Sequence, residues 1–356
     1  MKYNMKMAAC TLLCSLLTIL TGCTQSAKLQ TQKETFFAMD TVISTVISAE
    51  DSTDVFMQTE QEILRLEAVL SATDAESEVS ALNRSGSAEV GEDTAALLQA
   101  ALFYSAETDG AFDITVAPLL RVWGFGTDDH HVPSDEELRQ LLPFVGAEHM
   151  TLKGLSAQLD KGTQIDLGGI AKGYAADLIA RLWEENRVSS GMISLGGNVY
   201  VSGTKEDGSA WKVAVQDPQD SEAYLGILEL TDAYAVTSGD YQRYFEQDGI
   251  RYHHILDPED GKPARSGLRS VTIVVRRGMS PDPNGLDGTF CDAMSTALFV
   301  MGADKAITFW RNSGCRFDFI LVTDQNTVLI SSGLESCFSS AEGGAYSFEI
   351  VAETTS

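Results

Sequence analysis

Three groups of residues have the types and spacing that chemistry on a phosphate or a hydroxyl requires. The first is 165–177, I-D-L-G-G-I-A-K-G-Y-A-A-D, in which Asp166 precedes the pair Gly168-Gly169 and a helix-forming run carries Lys172. Glycines at a strand-to-helix turn let backbone N–H groups approach a ligand, and a helix N-terminus favours anions. A lysine on the first turn adds a point charge for phosphate. An ordinary strand-to-helix connection with a surface lysine fits the same spacing. The stretch matches neither GxxxxGK[ST] nor GxGxxG, so the common nucleotide folds gain no support from it. The second group is Asp292 and Thr296, four apart in a helix-like run and hence on one face. A carboxylate and a hydroxyl there suit magnesium, which keeps open positions for substrate phosphates. A helix-capping Asp292 and a Thr296 bonded to its own helix fit equally well. The third is His254, with Asp257 three residues on, where it can orient an imidazole that takes a hydroxyl proton. A structural histidine at a strand end is the alternative, and His253 should face the other way. Asp113, an exposed acid in G-A-F-D-I-T, suits a pocket wall, and a core-forming turn suits the segment as well.

These groups need elements to hold them. Residues 36–49 read as one strand with Met39-Asp40-Thr41 near its start, and 54–70 as a helix burying Val55, Phe56, Ile63, Leu66, Val69 and Leu70. Residues 71–91 read as loop and 93–108 as helix. Pro118 allows a helix to begin just before it, and Ser134 with Glu137 forms a capping box. A hairpin at 149–160 should lead into a strand at 164–167, then a helix to about residue 185. Strands follow at 190–195, 199–203 paired with 211–216, 224–230, 233–237 and 271–275; Gly196-Gly197-Asn198 offers another close backbone approach. Helices fit 291–301 and 303–313, and a hairpin fits 317–331. Tight turns outnumber strand–helix–strand alternations, so the class is α+β, antiparallel sheet with packed helices.

Residues 1–22 carry Lys2 and Lys6 and then an apolar run from Ala8 to Leu20, too short for a comfortable span. They end Leu20-Thr21-Gly22 before Cys23. This resembles a bacterial lipoprotein signal in which Cys23 is lipidated and begins the mature chain; an uncleaved anchor helix is the alternative, and either tethers the body to a membrane. Residues 23–34 read as a lipidated cysteine and flexible tether, and 35–352 as one domain outside the cytoplasm. Removing Lys2 and Lys6, and no acid, takes the formal charge from −26 to −28. That argues against nucleic acid as partner and makes a divalent cation an expectation wherever phosphate is bound. Cys291, Cys315 and Cys337 match neither a zinc site nor a disulfide framework, and a Cys315–Cys337 pair stays open.

Six ordered stretches carry a family resemblance: F-D-I-T-V-A-P-L, D-L-G-G-I-A-K-G-Y-A-A-D, S-L-G-G-N, T-S-G-D-Y-Q-R-Y-F, H-H-I-L-D-P-x-x-G-x-P and C-D-A-M-S-T-A-L-F-V-M-G. From about Met39 into the 330s the chain resembles the ApbE family, the FAD:protein FMN transferases. The resemblance implies a T-fold-like domain that splits the FAD pyrophosphate with Mg2+, moves FMN to a threonine hydroxyl of a target protein and releases AMP. It implies as targets the flavin subunits of membrane redox complexes of the NADH:quinone reductase or Rnf type. Carried over by position, Met39, Ala111, Phe112, Asp113, Asp166, Lys172 and His254 would line the FAD site. Gly169 through its carbonyl, Asp292 and Thr296 would hold magnesium, and His254 would deprotonate the acceptor. The same metal site would serve a Mg2+-dependent FAD pyrophosphatase with water as acceptor. A flavin-carrying lipoprotein would need two similar lobes, and no duplication is visible. One departure stands out: Ser71-Ala72-Thr73 occupies a place where many relatives have Ser-Thr-Tyr, so a ring-stacking partner is missing or supplied elsewhere.

Overall fold

The computed structural model describes residues 29–127, 129–341 and 345–354; the leader and Cys23 lie outside them. Strands β1 (Gln30–Ala38) and β2 (Thr41–Ala49) form an antiparallel hairpin, not the single strand expected over 36–49. Its turn is Met39-Asp40, with φ of 51° and 56°, the left-handed backbone that a two-residue hairpin needs. Neither residue is glycine, which is why the sequence gives no turn signal. Strand β1 also starts at Gln30, inside the segment read as tether.

Helix α1 (Ser52–Leu70) buries Val55, Ile63, Leu66 and Leu70. Helix α2 (Glu78–Ser85), capped by Ser77, lies where a loop was expected; two turns with only Val79 and Leu82 as buried large apolar residues give too little periodicity to read. After β3 (Ser87–Glu89) come α3 (Glu92–Glu107), α4 (Ala117–Val122) with Pro118 in its first turn, and α5 (Asp135–Leu141) with the Ser134–Glu137 capping box. The hairpin β4 (Met150–Lys153) and β5 (Ser156–Leu159) follows. Residues 164–167 make no regular strand: Gln164 forms an isolated bridge to Val116. The Asn83 amide instead pairs with both the N–H and the C=O of Ile165, each at 2.8 Å. One side chain thus does the work of a neighbouring strand.

The next elements are α6 (Ala171–Glu185), β6 (Ser190–Leu195), β7 (Asn198–Gly203), β8 (Trp211–Asp217), β9 (Asp220–Leu230), β10 (Ala233–Gly239), β11 (Tyr244–Gln247), β12 (Ile250–His253) and β13 (Leu268–Arg276). The chain continues through α7 (Asp287–Met301), α8 (Ala303–Asn312), β14 (Asp318–Thr323), β15 (Thr327–Ser331), β16 (Phe338–Ser340) and β17 (Ser347–Val351). Nine strands form one sheet in the order β1-β2-β6-β7-β10-β13-β14-β15-β17, antiparallel but for the last pair. Strand β8 pairs with β9, and not with β7 as expected, in a separate sheet β16-β9-β8. On one face of the large sheet lies the helical core, with Ile63, Trp183, Tyr200, Ile273 and Phe299. On the other, Val201, Ala235, Val274 and Ile320 pack with Val213 and Leu228 of the small sheet. Strand β13 is covered on both faces, so Val271 to Val275 is a continuous buried run, with the Thr272 hydroxyl paired to that of Thr237 at 2.8 Å.

Helices α6 and α7 touch at their first turns. A Cβ on Gly173 would stand 2.2 Å from the Gly288 carbonyl oxygen, and one on Gly288 would stand 2.5 Å from that of Gly173. Glycine at both positions is what lets the two helix starts meet. Cys291, Cys315 and Cys337 are all free thiols, so the Cys315–Cys337 pair does not form.

Candidate active site

A cleft of about 1270 Å³ opens where the β1–β2 turn, the α6 and α7 starts and the segment around β11 and β12 converge. It exceeds the roughly 300–1,000 Å³ of most small-molecule sites. Met39, Ala111, Phe112, Asp113, Asp166, Gly169, Lys172, His254, Asp292 and Thr296 all line it. Thus every expected site residue but Asp257, and Cys23 outside the described residues, comes together.

The α6 side is built from the D-L-G-G turn. The Asp166 carboxylate accepts the Gly168 N–H at 2.7 Å and fixes the turn. A Cβ on Gly169 would lie 3.3 Å from the Phe112 ring, a tight contact, and 3.8 Å from Thr296 Oγ1, an ordinary one. Its backbone therefore sits against the α7 hydroxyl. Lys172, half-buried on the first turn, donates from Nζ to the Gly168 carbonyl at 3.1 Å and keeps its remaining donors for a ligand.

From α7, Asp292 accepts the Gly173 N–H on Oδ2 at 2.8 Å, so it caps α6, not its own helix. Thr296 Oγ1 lies 3.3 Å from Ser238 Oγ of β10, which is 2.8 Å from Ser295 Oγ. The donor set of one carboxylate, one hydroxyl and the neighbouring Gly169 backbone is all oxygen. That fits a hard cation that retains water or phosphate oxygens in its other positions.

Asp113 is not the exposed acid expected from the sequence. It is 9% exposed, its Oδ1 accepts the Thr115 N–H at 2.7 Å and the Thr115 hydroxyl at 2.6 Å, and burial raises its pKa. Met39 is held by its N–H donating to Glu67 Oε1 at 2.7 Å. Thr73 lines the cleft without offering a ring, and Phe112, Phe125, Tyr241 and Tyr244 supply aromatic surface on other walls.

His254 Nδ1 lies 3.1 Å from the Arg243 carbonyl. A carbonyl only accepts, so Nδ1 carries the proton and Nε2 keeps its lone pair. Burial pulls the ring's pKa down to about 3, helped by the charges of Arg243 and Lys172, so the imidazole is neutral across the physiological range. His253 points away as expected, into the core: its Nε2 lies 3.2 Å from the Ala264 carbonyl and its ring meets Phe299 edge-on. Asp257 does not orient His254. Its carboxylate accepts the Glu259 N–H at 2.9 Å and shapes the D-P-x-x-G turn, while the Arg243 carbonyl fixes the imidazole. Arg243, within T-S-G-D-Y-Q-R-Y-F, lines the cleft without any spacing in the sequence that marks it as a site residue. Its guanidinium lies 3.6 Å from Asp40 and joins the β1–β2 turn to the opposite wall.

The matching family model is described as the ApbE family and covers residues 39–320. The chain belongs to the ApbE family. Among curated ApbE relatives, an FAD:protein FMN transferase of Klebsiella pneumoniae is 33% identical over 80% of this chain and 87% of its own. One of Vibrio cholerae is 35% identical over 65% of this chain and 69% of its own. The ApbE protein of Thermotoga maritima superposes with a TM-score of 0.76 at 33% identity, covering 88% of this chain and 97% of that one. The flavinyl transferase ApbE of Pseudomonas stutzeri gives 0.71 at 29% identity, covering 83% and 92%. The α+β class with antiparallel-dominated sheets is that of these ApbE structures.

Proposed function

We propose that this chain is an FAD:protein FMN transferase, which splits the pyrophosphate of FAD, joins FMN to a threonine hydroxyl of an acceptor protein and releases AMP. The observation that carries the reading is the meeting, in one open cleft, of an unprotonated His254 Nε2, an all-oxygen donor set and a lysine at a helix start. His254 accepts the hydroxyl proton as the threonine oxygen bonds to the FMN phosphorus. The bond from that phosphorus to the bridging oxygen breaks, and AMP leaves with the electron pair. Lys172 and the start of α6 stabilise charge on the phosphates. Magnesium would be held by Asp292, Thr296 and the Gly169 carbonyl, and when bound it would supply Lewis-acid neutralisation of the pyrophosphate. For a chain of formal charge −26 this local positive charge is what makes a dianionic substrate bindable.

The acceptors fitting this chemistry are threonine-bearing flavin subunits of membrane redox complexes of the NADH:quinone reductase or Rnf type. In this proposal the enzyme works outside the cytoplasm, tethered to a bacterial membrane through a lipid on Cys23. The discriminating experiment compares His254→Ala and Asp292→Ala, following AMP and acceptor-bound flavin separately. Asp292→Ala, or EDTA on the parent, should abolish both products. His254→Ala should lose acceptor labelling by about 10²-fold or more while still binding FAD. If AMP and free FMN formed at the same rate with or without acceptor, and no acceptor were labelled, water would be the acceptor.

A further inference from the structure

Asp177 does not line the cleft, yet it is tied to both metal-side helices. It is 3% exposed in α6, one turn beyond Gly173. Its Oδ1 accepts the Gly288 N–H at 2.8 Å, and its Oδ2 accepts the Thr289 N–H at 2.9 Å and the Thr289 hydroxyl at 2.6 Å. Both N–H groups belong to the first turn of α7, where no other turn of that helix can satisfy them. Asp292 does the reciprocal thing, reaching from α7 to the Gly173 N–H in the first turn of α6. The spacing is the same on each side: Gly173 to Asp177 and Gly288 to Asp292 are both G-x-x-x-D. Each glycine packs on the other's carbonyl, and each aspartate caps the helix that carries the other glycine. The pair is a clasp with approximate two-fold symmetry. The symmetry breaks in one respect. Asp177 has both oxygens engaged by α7, whereas Asp292 gives Oδ2 to α6 and stands in the cleft wall.

We infer that Asp177 is a positioning residue for the metal site, seating the start of α7 on α6 so that Asp292, Thr296 and Gly169 meet at fixed separations. The inference rests on the magnesium reading above. Thr296 and Asp292 come from α7, while Gly169 precedes α6, so the donor set spans the very contact that Asp177 clamps. Magnesium demands near-octahedral geometry at about 2.0–2.1 Å, so a shift of a few tenths of an ångström between the helices costs affinity. Outer partners of metal ligands typically matter by about 10–100-fold in affinity.

The test uses the full chain with FAD and Mn2+ as spectroscopic probe, its binding read by electron paramagnetic resonance, with AMP release titrated against Mg2+ in parallel. Asp177→Asn keeps size but offers an N–H2 to donors, and Thr289→Val removes only the hydroxyl contact. The expected result is a Mn2+ dissociation constant and a Mg2+ half-saturation raised about 10–100-fold in Asp177→Asn and less in Thr289→Val. FAD affinity without metal should be unchanged, and kcat should recover at saturating Mg2+. If Asp177→Asn fails to fold, Thr289→Val decides. Variants that lose only thermal stability and bind Mn2+ like the parent would overturn the inference alone. A parent that binds no Mn2+ with FAD present would overturn the metal reading and the inference together.

Discussion

The proposed proton acceptor is a single ring nitrogen, and its surroundings fix its protonation state. His254 is neutral because burial and two neighbouring cations oppose its protonation, and its Nδ1–H is fixed on the Arg243 carbonyl. With its pKa near 3, Nε2 stays unprotonated throughout the neutral range, as the proposed role of proton acceptor requires. FMN transfer should therefore show no acid limb attributable to His254 between pH 8 and pH 5; a limb near 6.5 that vanishes in His254→Gln would contradict this. Stability carries the opposite sign. His253, held down to about 4 by burial, and His254 both bind protons in the unfolded chain near 6.5 but not in the folded one. Their contribution to stability is full above about 6.5 and is lost as pH falls towards the folded values. The Tm of the parent should fall more steeply from pH 7 to pH 5 than that of His253→Leu, measured by calorimetry in matched buffers. At this scale the residue types were readable and their partners were not. The sequence offers Asp257 to His254 through spacing, and the actual partner is a backbone carbonyl eleven positions away, which no side-chain pattern reveals.

At the scale of elements, the site depends on how closely α6 and α7 approach. Gly173→Ala would add helix propensity of about 1 kcal/mol. It would also place a Cβ 2.2 Å from the Gly288 carbonyl oxygen and 2.7 Å from Asp292 Cβ. Backbone cannot yield as a flexible side chain can, so the clash wins. We expect a net loss of about 1–3 kcal/mol with a raised Mg2+ requirement, read from urea unfolding and a metal titration; a variant as stable as the parent would refute it. Long helices and β-branched strands were legible because their apolar periods repeat over several turns. The Met39-Asp40 turn was not, since left-handed φ without glycine or asparagine leaves no mark in the sequence. Helix α2 was too short to establish a period. Ile165 is completed by Asn83, 82 residues earlier, a pairing invisible to any local rule.

For the whole molecule, acidity and address are the informative quantities. A formal charge of −26 argues against nucleic acid and anionic lipid as partners, and the described cations near the cleft, Lys172 and Arg243, stand out against it. Raising ionic strength should weaken long-range repulsion between this chain and FAD, so KM for FAD should fall slightly, or hold, between 20 and about 150 mM salt. No helix among the described residues is long and apolar enough to cross a membrane; the proposed anchor is a lipid on Cys23. Cells fed a clickable fatty acid should label the parent and not Cys23→Ser, which should then appear in the soluble fraction; equal labelling would remove the anchor from the account. The family was legible because its motifs are ordered along the chain, while pairings such as β8 with β9 depend on which apolar face the large sheet leaves uncovered. The most direct test of the central claim is the intact mass of a threonine-bearing acceptor after incubation with this chain, FAD and Mg2+. A transferase adds one FMN less one water to that threonine, matched mole for mole by AMP and lost when the threonine is alanine. AMP without any mass gain on the acceptor would contradict the claim.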